Sequence, residues 1–186
     1  MKNFFVGFGI VIGVLLLLIV IFAAVMAFIV SSNSRDKGEY SKVLAGPDSS
    51  APKALVVYQP TISGTGKTIA EQLAAGLNAA GYEVTITYPS AKLPADISAY
   101  SIVTFGSSVY VGQPSSVLTK YMNRINDYSG KKVALYSIGG ADITPELDVL
   151  EACVKGADEI TKTKFRTGVK NNAEIALQFG TDLAVQ

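Results

Sequence analysis

Residues 4–30 form an apolar run without one charged side chain, and only beyond it do apolar and polar positions begin to alternate. In a helix, at about 1.5 Å per residue, this run exceeds the roughly 20 residues needed to cross a hydrocarbon core. The expectation is one N-terminal transmembrane helix in residues 1–30. A secretory signal is the alternative, but its apolar region would be shorter, about 7 to 15 residues. The small pair Ala23-Ala24 also lies inside the run rather than after it. Residues 31–52, SSNSRDKGEYSKVLAGPDSSAP, hold no sustained apolar period and read as a flexible linker.

From residue 53 to 186 the period switches repeatedly between strand and helix. KALVVY is a short continuous apolar strand, and Ile69, Leu73 and Leu77 then repeat at helical spacing until Gly81. YEVTITY alternates, SIVTFG is continuous again, and Val117, Tyr121, Met122 and Ile125 share one helical face. KKVALYSI gives a further buried strand, Pro145 opens a helical pattern through Val154, and TKTKFRT alternates charge with Thr and Phe as a protected edge would. Ile175, Phe179 and Leu183 mark the last helix. Five strands alternating with helices predict an α/β three-layer sandwich around a parallel sheet. Continuous strands in the middle and alternating ones second and last fit the order 2-1-3-4-5. Ligands in such sheets bind beyond the carboxyl ends of the strands, at the switch point between strands one and three.

Composition narrows the chemistry. Sixteen Lys and Arg against fifteen Asp and Glu leave a net charge of +1 without a basic cluster, so nucleic-acid binding gains no support. With no histidine and one cysteine, Cys153, the chain cannot supply a cysteine–histidine zinc site, a cysteine-ligated cluster or a histidine triad. Cys153 falls in a helical pattern and reads as a buried small hydrophobe. Lys2 precedes the apolar run, while Arg35, Lys37 and Lys42 follow it, which by the positive-inside tendency places the C-terminal domain in the cytoplasm, at the cell membrane.

YQPTISGTGKT follows the first strand and leads into a helix. Gly66-Lys67-Thr68 matches the end of a triphosphate loop, but the first glycine of that motif would fall at Thr61, and no following strand ends in a magnesium-orienting Asp. The alternative register is T-x-S-G-T-G, residues 61–66. In that register the chain resembles the flavodoxin family, whose phosphate loop runs [ST]-x-T-G-x-T into the first helix. FGSSVYVGQP is similar to the family's third-strand loop, with Tyr110 at the ring-stacking position and Gly112 and Pro114 after it, and SIGGAD falls where the family closes over the ring edge.

The resemblance implies a flavodoxin-like fold over residues 53–186 and flavin mononucleotide, FMN, as cofactor. It assigns the phosphate to Thr61, Ile62, Ser63, Gly64, Thr65, Gly66 and Lys67. It assigns the ring to Ser107, Ser108, Val109, Tyr110, Val111, Gly112, Ser137, Ile138, Gly139, Gly140 and Asp142. Gly66 stands at the family's final threonine, Ser108 replaces a frequent proline, and SIGGAD lacks a second aromatic; a scaffold that binds no flavin is the alternative. No catalytic proton donor is evident, so the expected activity is electron transfer with a redox partner protein or a quinone. Quinone reductase and protoporphyrinogen oxidase chemistry remain open at this stage.

Overall fold

The computed structural model describes residues 2–185, with side chains described from Phe8 onward. It divides into two compact units, the first ending at Ser32 and the second beginning at Asn33. The first is a single helix, α1 (Lys2–Asn33), whose large apolar side chains between Phe8 and Phe28 are mostly exposed. By length and composition its stretch Phe8–Asn33 can cross a membrane, a test that a signal sequence also passes.

The second unit is an α/β sandwich. Its strands are β1 (Ser41–Leu44), β2 (Lys53–Tyr58), β3 (Glu83–Thr87), β4 (Ile102–Ser108), β5 (Lys132–Gly139) and β6 (Glu159–Arg166), in the order β1-β3-β2-β4-β5-β6. The five strands read from the sequence are parallel and lie in the expected 2-1-3-4-5 order. The addition is β1, inside the stretch read as a flexible linker, which pairs antiparallel with β3 from Ser41↔Thr87 to Leu44↔Val84. Tyr40 fixes this segment, its ring stacked 4.4 Å from that of Tyr88 and its carbonyl accepting from the Thr87 hydroxyl at 2.6 Å.

Period-two alternation sorts the core. Ala54, Val56 and Tyr58 face α2 (Thr65–Ala79) and α5 (Asn172–Val185), together with Leu73, Leu77, Tyr136 and Phe165. Leu55 and Val57 face the other layer, with Phe105, Leu118, Leu135, Leu147 and Leu150. That layer contains α3 (Ser116–Met122) and α4 (Pro145–Glu151). Helices α2 and α5 cross at van der Waals contact through Gly76 and Gly180: a methyl on Gly76 would overlap the Leu177 carbonyl, and one on Gly180 that of Leu73.

The charged face of β6 is matched by acids rather than left to solvent. Lys162 pairs with Asp148 and Glu151, Lys164 with Glu146, and Arg166 with Asp142. Cys153 is buried as expected, and burial pushes its thiol up from its ordinary pKa.

Candidate functional site at the carboxyl end of the sheet

Three loops meet beyond the C-terminal ends of β2, β4 and β5. The first, residues 59–64, leaves β2 with the Gln59 amide still bonded to the Gly106 carbonyl at 3.0 Å. The chain turns through the Gly64 amide, which donates to the Thr61 carbonyl at 3.2 Å, and through Gly64 itself at φ 72, a left-handed conformation that glycine adopts without strain. Helix α2 begins at the next residue. Its early amides, those of Thr65, Gly66 and Lys67, and the Ser63 amide before them have no protein partner among the described residues. Thr61 Oγ1 and Ser63 Oγ lie 3.2 Å apart beside them. Free amides at the positive end of a 15-residue helix, with two hydroxyls adjacent, form a site suited to a compact anion.

The second loop, residues 109–115, is a two-residue hairpin. The Tyr110 amide donates to the Gln113 carbonyl at 3.2 Å and the Gln113 amide to the Tyr110 carbonyl at 3.1 Å. The two central residues, Val111 at φ 53 and Gly112 at φ 71, are both left-handed, as a type I′ turn requires. Tyr110 is half-buried at the start of this turn. The base of the loop is closed by the Ser115 amide donating to Ser107 Oγ at 2.8 Å, and Ser107 Oγ donates in turn to the Ser108 carbonyl at 2.9 Å.

The third loop, residues 139–144, follows β5. The Val109 amide donates to the Ile138 carbonyl at 2.8 Å, carrying the β4–β5 pairing past the end of β4. A methyl on Gly139 would touch Val109 at 3.4 Å, and one on Gly66 would approach Ile138 Cδ1 at 3.8 Å. Gly66, Val109, Ile138 and Gly139 are therefore brought together and join the three loops. Asp142 is exposed and paired with Arg166 at 2.9 Å, and Gly140 stands open.

Two of the expected ring residues are already engaged. Ser107 is buried with its hydroxyl bonded as above, and buried Ser137 donates to Glu146 Oε1 at 2.7 Å. Glu146 also accepts from Lys164 Nζ at 2.8 Å, and Lys164 donates to the Ile143 carbonyl at 2.8 Å, tying the third loop down. Burial opposes ionisation of Glu146, but the hydrogen bonds from Lys164 and Ser137 outweigh it and hold the carboxyl below its ordinary pKa.

A fourth segment belongs to this end and was not read as part of the site. The Asn33 side-chain amide donates to the Ser108 carbonyl at 3.3 Å, its carbonyl accepts from Ser115 Oγ at 2.9 Å, and Gln59 Nε2 donates to the Arg35 carbonyl at 3.0 Å. Asn33 thus bonds to both stems of the Tyr110 loop. No group of metal-ligating residues occurs among the described residues.

A family model described as a flavodoxin domain matches residues 55–180. The chain belongs to this flavodoxin domain family. Among solved structures, flavodoxin 2 from Bacillus cereus is similar at 22% identity and a TM-score of 0.60, covering 72% of this chain and 98% of its own. The Megasphaera elsdenii flavodoxin in its two-electron reduced form aligns at 20% identity and a TM-score of 0.60, covering 72% and 99%. A flavodoxin from the domain Archaea follows at 19% and 0.58, covering 72% and 96%. No curated protein matches the chain. These likenesses establish the fold of the flavodoxin domain; Asn33 and β1 lie ahead of the matched residues.

The family's phosphate pattern, [ST]-x-T-G-x-T, is also spelled by Ser63-Gly64-Thr65-Gly66-Lys67-Thr68, two residues later than the register 61–66. The unpartnered amides of the first loop fall in this later register. Thr68, whose amide donates to the Gly64 carbonyl at 3.1 Å, is the residue that the earlier register leaves out.

Proposed function

We propose that this chain is a membrane-anchored flavodoxin-type electron carrier that binds FMN and exchanges electrons with a partner in the membrane, a quinone or a membrane-bound reductase. The observation that carries the reading is the set of unpartnered amides at Ser63, Thr65, Gly66 and Lys67, beside the Tyr110 hairpin at the switch point. In the later register, Ser63 and Thr65 hydroxyls and the amides through Lys67 take the phosphate dianion, with the helix N-terminus replacing an arginine. Tyr110 gives the ring a stacking face, and Val109, Val111, Gly112, Ile138, Gly139 and Gly140 surround it with backbone groups. FMN, when bound, supplies the electron-accepting chemistry, and the protein sets position and potential. A nearly neutral domain lacks the charge that steers freely diffusing carriers to partners, and a membrane anchor supplies effective concentration in its place.

Titration of the full chain in detergent with FMN and with riboflavin tests this. Ser63→Ala removes one hydroxyl donor to a charged phosphate, about 1.5 to 3 kcal/mol, so FMN affinity falls roughly tenfold or more while riboflavin affinity holds. Tyr110→Ala removes ring stacking and weakens both flavins together. Absence of FMN binding by the wild-type chain would sink the reading and leave a flavodoxin-fold scaffold. Magnesium-dependent ATP hydrolysis abolished by Lys67→Ala would replace it with a triphosphate loop.

A further inference from the structure

Each of the three loops at the carboxyl end of the sheet holds one large aliphatic side chain in solvent. Ile62 is 84% exposed, Val111 72% and Ile143 72%. Among the described large apolar residues of the second unit, only Val185, at the end of α5, is exposed to a similar degree; the next is Val43 at 56%. Single exposed aliphatics are ordinary on a protein surface, but three on adjacent loop tips of one end are a patch. Val111 occupies its tip against backbone strain, because a β-branched residue at φ 53 is disfavoured where Gly or Asn would sit freely.

An independent observation concerns where the chain enters. Asn33, with which the second unit begins, is bonded to Ser108 and Ser115 at this same end. Ser115 stands at the N-cap of α3, where its hydroxyl would ordinarily accept from the helix amides; it makes no such bond and donates to Asn33 instead. In sequence, this loop-end contact falls at the last residue of the stretch Phe8–Asn33 that is long and apolar enough to cross a membrane. Lys67, exposed in the first turn of α2, adds positive charge there, which suits anionic headgroups.

We infer that the loop end docks on the lipid bilayer itself, with Ile62, Val111 and Ile143 inserted at the boundary between headgroups and acyl chains. The inference rests on α1 being a membrane anchor. It turns the three loops toward lipid, so the molecule that exchanges electrons there reaches them from the bilayer rather than from bulk water.

The chain has no tryptophan, so a single introduced one reports a single place. The full chain carrying Ile62→Trp, Val111→Trp or Ile143→Trp is reconstituted into phosphatidylcholine vesicles with and without brominated acyl chains. Asn126→Trp, on the exposed loop ahead of β5 at the opposite end of the sheet, is the control. The three loop tryptophans are expected to be quenched by the brominated lipid and the control left bright. A chain that floats with the vesicles but shows no quenching at the three tips, or equal quenching at Asn126→Trp, overturns the docking and assigns the patch to a protein partner. A chain that does not float with the vesicles overturns the anchor, and the docking with it.

Discussion

At Val111 a β-branched side chain crowds the backbone at φ 53, and with 72% of the residue exposed no burial offsets the strain. Replacing it with Gly or Asn is expected to raise stability by about 1 kcal/mol in chemical denaturation of the detergent-solubilised chain. Unchanged or lower stability would mean that the turn is held by something other than its own bonds. The Glu146–Lys164 pair makes the opposite case. Glu146 is 1% exposed and Lys164 9%, so Lys164→Met strands a buried carboxylate and should cost about 3 to 5 kcal/mol. The pair also fixes a pH dependence. The Glu146 carboxyl ionises at lower pH in the fold than in the unfolded chain, so its contribution is complete above the ordinary glutamate value of about 4.3 and is lost as pH falls through the depressed folded value. Urea titrations from neutral to acid pH should therefore find Glu146→Gln less stable at pH 7 and flatter in acid than the wild type. Equal acid slopes would assign the effect to other carboxylates.

Among the elements, the crossing of α2 and α5 depends on two missing side chains. Gly76→Ala or Gly180→Ala drives a methyl into a backbone carbonyl of the facing helix, and separating the helices enough to admit it should cost at least about 1 to 3 kcal/mol. Thermal unfolding of either variant at or above the wild-type midpoint would contradict this packing. The five parallel strands and their order were legible because continuous and alternating apolar runs mark central and edge positions. β1 was not: SKVL is four residues long, lies in a run dominated by Ser, Gly, Pro and charge, and finds its partner some forty residues later. The charged face of TKTKFRT reads as a protected edge, but the acids of α4 and the third loop that pair with it are not legible from that segment. At the candidate site, the loop after β2 and the Tyr110 loop stand out as motifs in the sequence, whereas Asn33 does not, because its role consists of hydrogen bonds across 75 and 82 residues of sequence. The overlapping T-x-S-G-T-G and S-G-T-G-K-T strings offer two registers to the sequence alone, and the helix start at Thr65 is the reason the register 63–68 is the one proposed.

For the molecule as a whole, topology decides what the second unit can meet. A reporter fused after the C-terminus, active on one side of the membrane only, is expected to work from the cytoplasm, since Arg35, Lys37 and Lys42 follow the apolar run and only Lys2 precedes it. Activity confined to the outer side would remove reducing partners of the cytoplasm from consideration. The antiparallel seam between β1 and β3 has a further consequence, in the order of synthesis. Ser41–Leu44 leave the ribosome before Glu83–Thr87, the strand they must pair with, and at roughly 5 to 20 residues per second the wait is about 2 to 9 s. The segment that closes the edge of the sheet is thus made before the strand it pairs with, and it waits unpaired until β3 has followed it.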